Sequence, residues 1–123
     1  YPLRRQRQMC IRDRDLARRR HQLIEATIEL EITELKFATQ KGEAMGRVME
    51  KLGKDFGSND ATRERNLAIH LPKDAAYMTS FHYFIEIKRN YLYAKAELDN
   101  ILDARRDFEN VLRAEGKYSH ADV

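Results

Sequence analysis

The chain is poor in the residues that metal sites, disulfides and membrane spans require. Its 123 residues include one cysteine, Cys10, two prolines and five glycines. A lone thiol cannot form an intrachain disulfide or a cysteine-rich zinc site. No apolar run approaches the ~18–20 residues of a membrane-crossing helix, which predicts a soluble chain. The four histidines, His21, His70, His82 and His120, show no His-x-x-x-His spacing, and none follows a glutamate by three residues. The Glu-x-x-His motif of di-iron bundles is therefore missing. Asp55-Phe56-Gly57 spells a kinase triplet, but without a glycine-rich or catalytic loop it reads as a turn. Gly53-Lys54 and Gly57-Ser58 stand in the wrong order for a phosphate loop, and no strand precedes them. Ser58, Ser80 and Ser119 have no His/Asp partners to argue from. Carboxylates at helical spacing from cations, such as Glu43 and Arg47, read as solvated i,i+4 pairs. These absences predict no enzyme, no metal and no cofactor.

The first fourteen residues distort the bulk composition. There is no initiator Met, so the reading expects a fragment or a readthrough. Arg4 through Asp13, Arg-Arg-Gln-Arg-Gln-Met-Cys-Ile-Arg-Asp, is the translation of CGT CGG CAG CGT CAG ATG TGT ATA AGA GAC. That string resembles a transposase-type sequencing adapter, and its next partial codon allows Arg14. The alternatives are a basic nucleic-acid-binding arm or the start of a targeting peptide, but no apolar stretch follows as a signal peptide requires. Residues 1–14 are therefore expected to be foreign. The whole chain carries 23 basic and 20 acidic side chains, a net charge of +3. Without Arg4, Arg5, Arg7, Arg12, Arg14 and Asp13, 18 basic and 19 acidic remain, a net of −1. The basic balance then supports no global argument for nucleic-acid binding. The remaining body, Asp15 to Val123, lacks cysteine, fits a reducing compartment and has the length of one domain at most.

That body reads as all-α. No proline falls between Asp15 and Leu52, and two apolar stripes run through the segment. Ile24, Ile28, Leu35, Ala38, Met45, Met49 and Leu52 recur near steps of three and four, interrupted by Glu31 and Gly42. Leu16, Leu23, Leu30, Phe37 and Ala44 recur at strict sevens. Together they predict a first helix over 15–52 with one wide apolar face, stopped by Gly53. A turn-rich stretch, Gly53 to Asp60, leads into a short helix from Ala61 to Leu71. Ser58, Asn59 or Asp60 is its candidate cap, and Leu67 and Leu71 would fold it down. A second long helix is predicted over 74–115, preceded by Pro72, closed by Gly116 and followed by a tail over 116–123. Its seam is Phe84, Ile87, Tyr91, Ala94, Leu98, Ile101, Phe108 and Leu112, broken only by Arg105. Two helices of ~40 residues, ~60 Å each, fold most simply as a long antiparallel hairpin.

Such a hairpin hides apolar surface poorly, so oligomerisation is expected. The start of the second helix is also aromatic, with Tyr77, Phe81, Tyr83, Phe84, Tyr91 and Tyr93. Gly42 and Gly46 form a Gly-x-x-x-Gly, which in a soluble helix permits a close crossing or marks a bend. The basic groups are Arg18-Arg19-Arg20-His21, Arg63 and Arg65, Lys88-Arg89 and Lys95, and Arg105-Arg106. Cations mixed with rings suit single-stranded nucleic acid. The same cations would equally pair with Glu86, Glu97, Asp103 and Asp107.

Gly57-Ser58-Asn59-Asp60-Ala61-Thr62-Arg63, followed by Leu67, Leu71 and a long helix, resembles small helical proteins of phages and prophages. Those show a Gly-x-Asn turn, an Arg four residues beyond the Asn, then a long amphipathic helix. Leu71 through Lys117 is also similar in pattern to the C-terminal half of UvsY-type recombination mediators. The shared pattern is a Lys-Asp turn, an aromatic-rich helix, an Arg-rich stretch and a Glu-Gly. It covers about half the chain, and Asp15–Leu52 shows no clear counterpart. The resemblance implies a non-enzymatic oligomer in a bacterial host's cytoplasm that binds single-stranded DNA and helps load a recombinase. The candidate DNA contacts are Arg63, Arg65, Lys88, Arg89 and Arg105, with Tyr91 and Tyr93 as stacking rings. The alternative is an oligomeric structural or adaptor protein whose aromatic helix face binds another protein.

Overall fold

Long runs without proline and with apolar residues near every third or fourth position favour helix, and helix is what the chain forms. The computed structural model describes the backbone of residues 2–121 and the side chains of Cys10 and of residues 13–116. Three α-helices follow in order: α1 (Pro2–Leu52), α2 (Asp60–His70) and α3 (Ala75–Ala121). Short 3-10 turns, Gly53–Phe56 and Leu71–Lys73, join them, and no strand occurs among the described residues. The fold is the expected all-α hairpin with a short middle helix.

Each helix end has a local cause. Gly53 takes φ +55°, the left-handed conformation that terminates α1. Asn59 has extended backbone, and its Oδ1 accepts the Thr62 N–H at 2.9 Å, capping α2. Asp74 plays the same part for α3, its Oδ1 accepting the Tyr77 N–H at 2.9 Å. Two expectations about α3 need correction. Gly116 does not close the helix, which continues to Ala121, because among the described glycines only Gly53 and Gly57 take positive φ. A glycine held at helical φ costs some stability but does not end a helix. The tail expected over 116–123 is thus helical to Ala121, and its end, Asp122 and Val123, lies outside the described residues, as does Tyr1.

The chain divides into two compact units. The first contains Thr27–Asn90. Here α1 and α3 run antiparallel: Phe37 meets Tyr77, Phe81 and Phe84, while Arg47, further along α1, meets Asp74 at the start of α3. Ala44, Val48, Phe56 and Leu71 are buried, with Met45, Leu52, Leu67 and Tyr77 packed against them. Leu67 and Leu71 do fold the middle of the chain down, as their spacing implies. The second unit joins the part of α1 up to Ala26 with α3 from Tyr91. Leu16 and Leu98 are buried within it, and Arg19 reaches across to Glu97.

The wide apolar face expected of α1 splits in two. The stripe at sevens points inward: Leu16 and Ala44 are buried, and Leu23, Leu30 and Phe37 are half-buried. Most of the other stripe points outward, with Ile24, Ile28, Leu35, Ala38 and Met49 exposed; only Met45 and Leu52 join the core. One antiparallel neighbour covers one stripe of a helix, so the second remains uncovered.

Candidate binding surfaces

The turn between α1 and α2 shows how local chemistry fixes the resemblance-bearing residues. Gly57 takes φ +114°, a conformation that L side chains avoid. A Cβ placed there would stand 2.6 Å from Thr62 Cγ2. The Gly57 carbonyl accepts a hydrogen bond from Arg63 Nε at 3.1 Å, and the Arg63 backbone N–H donates to Asn59 O at 3.1 Å. Asn66 Nδ2 donates to the carbonyls of Phe56, at 2.7 Å, and Asp55, at 3.1 Å. Gly57, Asn59 and Arg63 therefore build a turn. The Phe of the kinase-like triplet is part of the core.

The candidate DNA contacts are distributed over both units. Arg63, Arg65, Lys88 and Arg89 belong to the unit of residues 27–90, whereas Tyr91, Tyr93 and Arg105 fall in the other. Arg63 commits its Nε to the turn. Arg105 lies 3.4 Å from Glu109 and 3.4 Å from Asp13, the latter within the segment expected to be foreign. Tyr91 is half-buried in the α3 seam, whereas Tyr93 is 63% exposed. Arg65, Lys88 and Arg89 are exposed and have no ion pair among the described residues. Of the other basic groups, Arg18 pairs with Asp15, and Arg19 pairs with Glu97.

The aromatic start of α3 is largely turned inward. Phe37 stacks on Phe84, centroids 5.1 Å apart at 9°, and tilts against Tyr77 and Phe81. Such ring pairs add to the area they bury. Of the six aromatics expected to face a partner, only Tyr83 and Tyr93 are exposed. Beside this cluster, Thr33, Lys36, Phe37, Gln40, Thr79 and Tyr83 line a groove of about 460 Å³. Thr33 is buried, and its hydroxyl donates to Glu29 O at 2.7 Å, so the groove wall carries no unsatisfied hydroxyl there.

Arg47 and Asp74 form the best-defined polar contact. Arg47 Nε and Nη2 donate to the two Asp74 oxygens at 2.8 and 2.9 Å, a bidentate pair. The sequence paired Arg47 with Glu43; the closer partner is a helix cap 27 positions away. Arg47's hydrogen bonds, then the Tyr77 N–H, lower Asp74 from the ordinary carboxylate range to about 2. The same carboxylate raises Arg47.

Among the described residues, no group of three or more His, Cys, Asp or Glu is placed to hold a metal ion. Ser119 and His120 have side chains outside the described set. No helix of the described residues is long and apolar enough to cross a membrane. No protein-family model, curated protein or solved structure matches the chain.

Proposed function

We propose that this chain is a non-enzymatic association module, a structural or adaptor protein that works by packing its helix faces against other helices. One observation carries the reading: ten large apolar side chains are exposed, three of them in succession along one side of α1. Ile28, Ile32, Leu35, Met49, Ile69 and Tyr83 are exposed in the unit of residues 27–90, and Ile24, Leu92, Tyr93 and Val111 in the other. No large side chain is fully buried among the described residues. Scattered apolar residues are ordinary on protein surfaces, but Ile28, Ile32 and Leu35 follow at steps of four and three along one side of α1. A contiguous face of that kind marks an interaction surface. The docking face favoured here is aliphatic and lies on α1, since Phe37 already covers much of the aromatic face of α3. Light scattering on the full chain at tens of micromolar is expected to return a mass above the 14.5 kDa of one chain. A monomer at that concentration would remove the reading.

A second reading is a phage-type accessory protein that binds single-stranded DNA and assists recombinase loading. Its support is that Arg65, Lys88 and Arg89 remain exposed and without acidic partners among the described residues. Unpaired cations are free to neutralise phosphates. Fluorescence anisotropy with a labelled single strand should then show binding that weakens as salt rises. Lys88→Glu with Arg89→Glu should abolish it, while glutamine at Arg4, Arg5, Arg7, Arg12 and Arg14 should leave it in place. The opposite pattern would assign DNA binding to the N-terminal segment alone.

A further inference from the structure

We infer that Lys51, His70 and Lys73 hold one phosphate group, free or as a small phosphomonoester, in the cavity beside the Arg47–Asp74 pair. None of these residues is among the candidate DNA contacts, and binding there is independent of self-association.

The core brings the site together. Leu71 and Val48 belong to the same buried cluster, within the unit of residues 27–90. That packing sets His70, the last residue of α2, and Lys73, the last of the following 3-10 turn, beside α1. There Arg47 and Lys51 stand one turn apart. With Val48 and Asp74 these four residues line a cavity of about 120 Å³. Pockets for drug-sized ligands begin near ~300 Å³, so this one suits a compact group.

The charges around it do not balance. Asp74 is the one acid in the lining; Glu50 and Asp55, the acids near Lys51 in sequence, do not contribute to it. The Asp74 carboxylate is already satisfied, accepting from Arg47 Nε, Arg47 Nη2 and the Tyr77 N–H. Arg47 and Asp74 therefore cancel. Lys51, His70 and Lys73 are left over, and none of them enters an ion pair or a side-chain hydrogen bond among the described residues. Lys51 also follows Arg47 by four positions, where like charges on a helix repel. Two ammonium groups and an imidazole around one small cavity are a repulsion that a dianion relieves. Lysine, a compact charge with three rotatable donors, is an established phosphate ligand. Phosphate presents oxygens in tetrahedral directions, so donors arriving from three elements can all be met. A carboxylate is flat and carries one charge, and meets fewer of them.

Titration of the full chain with sodium phosphate, at constant pH and ionic strength, tests the site through the His70 imidazole C–H signals in NMR spectra. Those signals should shift saturably with a Kd of about 1 mM or tighter. The melting temperature should rise with phosphate and not with chloride at the same ionic strength. Lys51→Gln with Lys73→Gln alters two exposed positions; it should keep the helical circular dichroism and weaken binding roughly tenfold or more. Lys88→Gln with Arg89→Gln, about four turns further along α3, should leave affinity within roughly twofold. Glutamine at Arg4, Arg5, Arg7, Arg12 and Arg14 should do the same. Tighter binding of glycerol 3-phosphate than of inorganic phosphate would identify the ligand as a phosphomonoester, and the reverse order as free phosphate. Failure to saturate, a response that survives in the Lys51 and Lys73 double variant, or one lost with either control set would overturn the site. None of these outcomes alters the light-scattering test of association.

Discussion

Asp74 shows how one side chain couples two kinds of stabilisation. It caps α3 through the Tyr77 N–H and pairs in bidentate fashion with Arg47 on α1. Because its folded pKa is lowered to about 2, its contribution is fully present above the ordinary carboxylate value of about 4 and is lost as pH falls from there towards 2. Asp74→Ala should lower the melting temperature at pH 7. Asp74→Asn, which keeps a capping oxygen without the charge, should fall between the two. Thermal melts by circular dichroism from pH 7 to pH 2 should show the wild type converging on Asp74→Asn. A constant gap across that range would mean the ionised pair contributes nothing. This partnership was hidden in the sequence because Arg47 has Glu43 one turn away, whereas Asp74 becomes its neighbour only when α3 folds back.

At the scale of elements, α3 was the most legible part of the chain. Every residue of its predicted seam from Phe84 to Leu112 is buried or half-buried, Arg105 included. Period alone sufficed there because the longest regular apolar stripe of the helix is the one turned inward. On α1 the same rule was ambiguous, since two stripes of similar hydrophobicity compete for one neighbour. The choice falls to the stripe containing Phe37, which meets the rings of α3, and Ala44, which is 0% exposed and permits close packing. That choice depends on the partner helix and is invisible in α1 alone. The turn before α2 was legible as a turn but not in its mechanism. Gly57→Ala forces a side chain into a left-handed backbone and against Thr62, and should destabilise the fold by about 1–3 kcal/mol in urea titrations. A loss below about 0.5 kcal/mol would show that the turn relaxes freely.

For the whole molecule, composition spoke to class and not to role. Scarce proline and helical periodicity specify a helical hairpin; association and nucleic-acid binding are the two proposed readings to separate. The candidate DNA contacts were chosen as cations and rings, and residue type alone could not show that the turn claims the Arg63 Nε or that Arg105 lies beside Glu109. A surface on a helix face is legible only after the structure shows which face is spent inside. The shallow packing also bears on thermodynamics. With no large side chain fully buried among the described residues, unfolding of a single chain exposes less new apolar surface than unfolding of a globular chain of this length. The heat-capacity increment should then lie below the usual ~12–15 cal/mol/K per residue. A smaller increment flattens the free-energy curve against temperature, so an isolated chain would be modestly stable over a broad range. Covering α1 with a partner would deepen that curve, making temperature response a property of the assembly.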